Sequence, residues 1–276
     1  MPHPTRPDPG QPHPDTPVPV AIAGASGRMG RALTALLEGH PRLRLAACLE
    51  RPGHPWLADP AAAPGVPVTD DPAAALAGVR AVVDFTAPAA SIAIAAAAAR
   101  CGAVHVIGTT GFSEAELAEL RAAGQGAVTI RAGNMSLGVN LLVQLARRVA
   151  AALGPEFDVE ILEAHHRAKV DAPSGTALML GEAVAEGRGL ALRDHAVFAR
   201  EGLTGARPEG AIGFAALRGG DIVGEHDVLF AGPGERVVLR HVATDRTIFA
   251  RGALKAAEWG LGRAPGQYSM ADVLGA

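Results

Sequence analysis

With 276 residues the chain is long enough for one large domain or two modest ones. Its formal charge of −3, with no basic stripe interleaved with aromatics, argues against a nucleic-acid partner, and no apolar run approaches the ~20 residues that span a bilayer. Charged residues make up 19% and aromatics 4%, so the core must be built from Ala, Val, Leu and Ile, a palette that suits helices packed on a parallel sheet.

Residues 1–17 are Pro-rich and polar and are predicted to form a disordered leader. They lack the apolar segment of a secretory signal. Cys48 and Cys101 sit in or beside apolar strand-like runs and read as buried, inert thiols, so a cytoplasmic location is expected. From Val18 the rhythm changes. "VPVAIAG" is a short apolar strand, and "RMGRALTALLE" has helical spacing with Leu33, Leu36 and Leu37 on one face. "LRLAACLE" and "AVVDFTAP" are further strands. "ASIAIAAAAARCG" is a helix stopped by Gly102. "AVHVIGTTG" is a fourth strand, and "SEAELAELRAA" a helix opened by Ser113 with Glu116 completing a capping box. "GAVTIRAGN" is a fifth strand. Regular alternation of strand and helix predicts a Rossmann-like, doubly wound parallel sheet.

After Asn134 the pattern shifts. "LGVNLLVQLARRVAAALG" is a long amphipathic helix, "FDVEILEAHH" a strand and "GTALMLGEAVAEG" a helix. Strand-like runs then cluster between His195 and His241, and helical spacing returns from Thr247 to Gly260. This half predicts an α+β domain with an open mixed sheet.

Two constellations carry chemistry. In "VAIAGASGRMG", Gly24, Gly27 and Gly30 form a relative of the dinucleotide fingerprint, with Ser26 where the commoner spacing has a second glycine. The free amides that open the next helix favour an anion, and Arg28 adds charge there. Glu50 ends the second strand, where an acid would bond ribose hydroxyls. Arg51 beside it would face a 2′-phosphate, so the pair leaves NADH and NADPH equally open. Thr86, Thr109 and Thr110, at the carboxyl ends of later strands, are small polar groups suited to the nicotinamide end of such a ligand. In the second constellation, "EAHHRAKVDAPSGTA", His165, His166 and Lys169 precede a helix start at Ser174, Gly175 and Thr176. Three potential cations at a helix N-terminus suit a small anionic dicarboxylate. Adjacent residues of an extended chain point opposite ways, so the two histidines make poor joint ligands, and no metal is expected.

At this point the sequence resembles the 4-hydroxy-tetrahydrodipicolinate reductase (dihydrodipicolinate reductase) family. "EAHHRAKVDAPSGTA" is similar to its signature. So, in order, are "VAIAGASGRMGRAL", "VVDFT", "VIGTTGF", "GNMSLGVN", "REGLTG", "IGFAALRGGDIVGEH" and "GER". The resemblance implies an NADH- or NADPH-dependent oxidoreductase of lysine and diaminopimelate biosynthesis that reduces a cyclic imine dicarboxylate, and a homotetramer joined through the mixed sheets. It implies His165 as proton donor and Lys169 as second catalytic group, with His166, Gly175 and Thr176 on the substrate carboxylates. It implies cofactor contacts from Gly24, Ala25, Ser26, Gly27, Arg28, Met29, Glu50, Arg51, Gly108, Thr109, Thr110, Ala132, Gly133, Asn134 and Met135, the last where many members carry Phe. A dinucleotide-binding domain over 18–135 and 246–276, and a substrate-binding and oligomerisation domain over 136–245, follow from the same likeness. Two other readings remain at this stage: an NAD(P)H-sensing regulator without chemistry, which would need only the glycine loop, and a reductase of another cyclic imine.

Overall fold

The computed structural model describes residues 16–59 and 61–275. Most of the expected leader, residues 1–15, lies outside the described residues. The described chain divides into two compact units, residues 16–131 with Ala253–Tyr268, and Ala132–Gly252 with residues 269–275.

In chain order the elements are β1 (Val18–Ala23), α1 (Arg28–Leu37), β2 (Leu43–Leu49), β3 (Val68–Thr69), α2 (Pro72–Ala75), β4 (Ala81–Asp84), α3 (Pro88–Cys101), β5 (Val104–Ile107), α4 (Glu114–Ala123) and β6 (Val128–Arg131). Then come α5 (Leu137–Ala152), β7 (Asp158–His165), α6 (Gly175–Gly187), α7 (Leu192–His195), β8 (Ala196–Val197), β9 (Ile212–Arg218), β10 (Gly224–Gly232) and β11 (Glu235–Ala243). The chain closes with α8 (Thr247–Gly260), β12 (Gly266–Tyr268) and α9 (Met270–Leu274).

The first unit holds a seven-stranded sheet in the order β12-β6-β5-β4-β1-β2-β3, with every pairing parallel. β4 and β5 are buried along their whole length, as strands covered on both faces must be, including Asp84 and His105. Ala21, Ala23, Val82, Ile94, Ala98 and Leu76 form one of its apolar clusters. Local chemistry sets the ends of the helices. Ser113 Oγ accepts from the Glu116 amide while Glu116 answers to the Ser113 amide, the reciprocal box read from sequence. α3 begins at Pro88 and stops at Gly102, whose φ of +68° is the left-handed cap that glycine adopts freely. β3 and β12 were not legible as strands: at two and three residues they are too short to show a period.

The second unit holds a mixed five-stranded sheet in the order β11-β10-β7-β9-β8. β10 is antiparallel to both its neighbours, while β7, β9 and β8 run parallel. Burial alternates along β7 and β10, so one face is dry. On that face Val159, Ile161, Ile212, Phe214, Val228 and Phe230 pack with residues of α5 and α6 such as Leu142, Ala146, Leu180 and Val184. A Rossmann-like parallel sheet with a second, mixed α+β unit is therefore the observed fold class. One reading is corrected. Cys48 is buried, but Cys101 is exposed, because it is the last residue of α3, between the exposed Arg100 and Gly102.

Candidate functional site

In the first unit the glycine turn joins β1 to α1. Gly24 has φ +72°, and a Cβ there would lie 3.2 Å from both Phe85 O and Thr86 Cγ2. Gly30 lies so close to the Gly24 carbonyl and the Ala25 backbone that no side chain fits, which lets α1 start hard against the strand. Gly27 is the N-cap and offers no side-chain bond, leaving the first amides of α1 without a side-chain cap. Glu50, 7% exposed, accepts a 2.6 Å hydrogen bond from the Ser26 amide, so the acid at the end of β2 is tied to the loop itself. Ser26 Oγ in turn lies 3.2 Å from His54 Nε2. His54 Nδ1 accepts from the Trp56 amide, which leaves the proton on Nε2. Arg28 and Arg51 are exposed. A cleft of about 460 Å³ opens beside this turn, lined by Gly24, Glu50, Arg51, Asp70, Thr86 and Ile94 among others. These features fit a dinucleotide: a close backbone approach, open amides and an acid one strand away.

Gly108, Thr109 and Thr110 follow β5. A side chain at Gly108 would collide with the Phe85 ring. Thr110 is exposed, but Thr109 is buried and donates its hydroxyl to Asp84 Oδ1 at 3.0 Å; Thr86 does the same at 2.5 Å. The hydroxyls of Thr86 and Thr109 are thus committed to the protein. Burial by itself would raise the Asp84 carboxyl. Hydrogen bonds from His105, Ser91 and Thr86 and the charge of His105 outweigh it and hold the group below the usual carboxylate range.

The second constellation lies wholly in the second unit, at the end of β7 and the start of α6. Glu163 and His165 share a strand face by the two-residue period, and pairing places His226 of β10 opposite Glu163 and Gly224 opposite His165 at the strand end. Glu163 is 2% exposed and receives four donors. His165 Nδ1 lies 2.7 Å from Oε2, Arg218 Nη1 and Nη2 donate at 2.7 and 2.8 Å, and the Ser174 amide donates at 3.0 Å. Burial would raise this carboxyl; bonds from Arg218, His165 and Ser174 reverse the sign and keep it ionised. With Nδ1 donating to a carboxylate, Nε2 of His165 is the ring nitrogen left outside that bond. It faces Gly224, where a Cβ would sit only 3.0 Å away.

His165 titrates below its ordinary range, chiefly because it is buried, with Glu163 opposing and Lys169 and Arg218 adding to the fall. His226 is pushed down to about 4, by burial first and then by the charge of His165. Its ring meets that of His165 edge-on at 5.1 Å, and its Nε2 lies 3.1 Å from Ser174 Oγ. Lys169 Nζ pairs with Asp171 at 2.9 Å, and its side chain is 20% exposed. His166 is half-buried. Ser174 caps α6, accepting from the Ala177 amide, while Gly175 has open space where a Cβ would be. Thr176 Oγ1 accepts from Asn134 Nδ2 at 2.9 Å, and Asn134 Oδ1 accepts from the Ser136 amide. Of the four residues Ala132 to Met135, Asn134 is thereby joined to this cluster, Gly133 is exposed, and Met135 is buried.

Sequence reasoning brought His165, Lys169, Gly175 and Thr176 to one place, and the structure gathers them there. It missed Glu163, Arg218 and His226. Glu163 had a signal, lying two residues before His165 on a strand. Arg218 and His226 lie in the stretch "IGFAALRGGDIVGEH", but nothing local ties them to this site, since they stand 55 and 52 residues from the groups they touch. Ser174, at the helix start read from the sequence, is committed to the protein. Its amide is spent on Glu163 and its hydroxyl on His226 and Ala177. No group of three or more potential metal ligands occurs among the described residues.

Comparison with known proteins adds a family. Residues 18–135 match the model described as dihydrodipicolinate reductase, N-terminus, and residues 138–274 match its C-terminus counterpart. The 4-hydroxy-tetrahydrodipicolinate reductase of Roseobacter denitrificans is 62% identical over 266 residues, covering 94% of this chain and 98% of the relative. That of Ruegeria pomeroyi is 62% identical over 262 residues, covering 93% and 97%. Among solved structures, a dipicolinate-bound dihydrodipicolinate reductase from Paenisporosarcina sp. TG-14 superposes with a TM-score of 0.74 at 27% identity, covering 92% of this chain and 98% of that one.

Proposed function

The chain belongs to the dihydrodipicolinate reductase family and is an oxidoreductase, and from that premise we propose how its residues carry the reaction. The substrate is a hydroxylated cyclic imine dicarboxylate that loses its hydroxyl as water to give a conjugated ring, and that ring is reduced at the expense of NADH or NADPH to tetrahydrodipicolinate in lysine and diaminopimelate biosynthesis. Gly24 to Met29 cradle the pyrophosphate at the start of α1. Glu50 and Arg51 meet the adenosine ribose, and Gly108 to Thr110 meet the nicotinamide end. The bound nicotinamide supplies the hydride. The first unit is thus the dinucleotide-binding domain and the second the substrate domain.

The observation that carries the reading is the four-donor cluster on Glu163. It fixes His165 with Nε2 outward, beside Lys169 and the open N-terminus of α6. His166, Gly175 and Thr176 hold the carboxylates, helped by the helix end. His165 Nε2 then gives a proton to the ring carbon next to the reduced position, while Lys169 balances charge building toward the ring nitrogen. Burial keeps His165 neutral in the free protein. A dianion beside it favours the imidazolium, so binding the substrate charges the acid that the reaction needs. The exposed face of the mixed sheet carries Leu217, Val238 and Val242 at 56%, 54% and 47% exposure, an apolar surface suited to the sheet-to-sheet contact of a homotetramer. No described helix is long and apolar enough to cross a membrane, and the reading assigns the enzyme to the cytoplasm.

The test follows loss of NADH or NADPH absorbance with the condensation product of pyruvate and aspartate semialdehyde. His165→Ala should lose about 10²-fold or more of kcat with little change in KM. Near-normal turnover by that variant would remove His165 from its role as proton donor.

A further inference from the structure

We propose that Asp84 is a positioning residue for the nicotinamide half of the cofactor, acting through Thr86 and Thr109; the inference rests on the cofactor assignment above. Asp84 ends β4 and is 0% exposed. Pairing places it beside Ala23 of β1, next to the glycine turn, and beside Ile107 of β5. Its Oδ1 accepts from the Thr86 amide at 3.0 Å, the Thr86 hydroxyl at 2.5 Å and the Thr109 hydroxyl at 3.0 Å. Its Oδ2 accepts from Ser91 Oγ at 2.5 Å and lies 3.2 Å from His105 Nε2, both 0% exposed. The Thr86 amide also lies 2.9 Å from Thr109 Oγ1. Five donors fill the two oxygens, so the carboxylate has no lone pair left for a ligand. What it does is weld the turn after β4 to the turn after β5. The Gly108 amide, donating to the Asp84 carbonyl at 2.8 Å, closes the same joint through the backbone.

The sheet order gives this joint its meaning. β2, with Glu50 at its end, lies on one side of β1, and β4 and β5 lie on the other. A dinucleotide whose pyrophosphate sits at the start of α1 and whose adenosine reaches β2 must send its other half over β4 and β5. Thr86 packs directly against the glycine turn, its Cγ2 being 3.2 Å from where a Gly24 Cβ would be. A shift of the welded turns would therefore displace the nicotinamide while leaving the adenosine end in place.

The test compares, on the full-length enzyme, calorimetric titration with the reduced cofactor (NADH or NADPH, whichever binds tighter) and with the matching ADP-ribose fragment, which lacks nicotinamide. Asp84→Asn keeps the shape but removes the charge and replaces one acceptor oxygen with an NH₂, so the five donors no longer share two acceptor atoms. It should weaken reduced cofactor by about tenfold and ADP-ribose by less than about twofold. Thr109→Val, which removes one limb of the joint, should move the same ratio in the same direction by a smaller factor. If Asp84→Asn does not fold, Thr109→Val and Thr86→Val decide by that ratio alone. Equal weakening of both ligands, or unchanged binding of the reduced cofactor, overturns the proposal. Failure of the unmodified protein to bind either reduced cofactor would instead overturn the cofactor assignment, and this inference with it.

Discussion

Glu163→Gln changes one atom of a buried side chain and alters the whole proton economy around His165. In the native cluster every partner of Glu163 is a donor: His165 Nδ1, two guanidinium nitrogens of Arg218 and the Ser174 amide. A glutamine keeps one oxygen and turns the other into an NH₂, which must face one of those donors. Breaking a fully buried pair costs about 3–5 kcal/mol. The Arg218 side chain is 21% exposed, so water offsets part of this, and a loss of about 2 kcal/mol is the expected fall in unfolding free energy. The kinetic effect has a separate signature. Glu163 raises the affinity of His165 for a proton, against burial, Lys169 and Arg218. Without it the histidine titrates lower still. A general acid works below its pKa, so the alkaline limb of the kcat profile should move to lower pH, with kcat at neutrality down about 10²-fold. Cofactor consumption measured from pH 5 to 9 on the variant and the unmodified enzyme reads both the limb and the plateau. An alkaline limb that stays where it was, or moves upward, would refute the coupling between Glu163 and His165.

The other expectations concern burial and space. His226 titrates at about 4 in the fold and near ~6.5 when unfolded. As pH falls through that window the unfolded chain binds a proton that the fold refuses, and stability drops by up to about 1.4 kcal/mol per pH unit. Denaturant titrations at pH 7 and 5 should show this slope in the native protein and a shallower one in His226→Asn, where the low-titrating His165 and His241 remain. Gly224→Ala places a methyl 3.0 Å from His165 Nε2. It should cut kcat by about tenfold or more with an unchanged circular dichroism spectrum, and normal turnover would show that Nε2 is not the working atom. Gly30→Ala drives a methyl into the Gly24 and Ala25 backbone, so it should abolish cofactor binding by calorimetry while pyridine-2,6-dicarboxylate still binds.

The sequence made local features legible and left long-range ones hidden. The glycine turn, the Ser113 box and the stop at Gly102 are written in consecutive residues, and each appears in the structure where it was read. His165 and Lys169 were visible because a strand end, a chain break and a helix start fall within fifteen residues of "EAHHRAKVDAPSGTA". Arg218 and His226 reach that site only through the pairing of β7 with β9 and β10, and strand order cannot be read from periodicity. Thr86 and Thr109 read as ligand-facing; that their hydroxyls turn inward, onto Asp84, depends on where β5 lies beside β4. Cys101 differs for another reason: it closes α3 between the exposed Arg100 and Gly102, where the apolar run before it no longer covers the thiol.

The strand Gly266–Tyr268, pairing with Val128–Ile130, has an implication for how this polypeptide is made. The rim of the first sheet is finished by residues that leave the ribosome more than a hundred positions after the strand they join. Until then that rim presents bare amides and carbonyls, a template for pairing with any passing chain. The intervening second unit, whose strands and two long helices are contiguous, can collapse while the earlier unit still waits for its border. Vectorial synthesis thus begins one body first and completes the other.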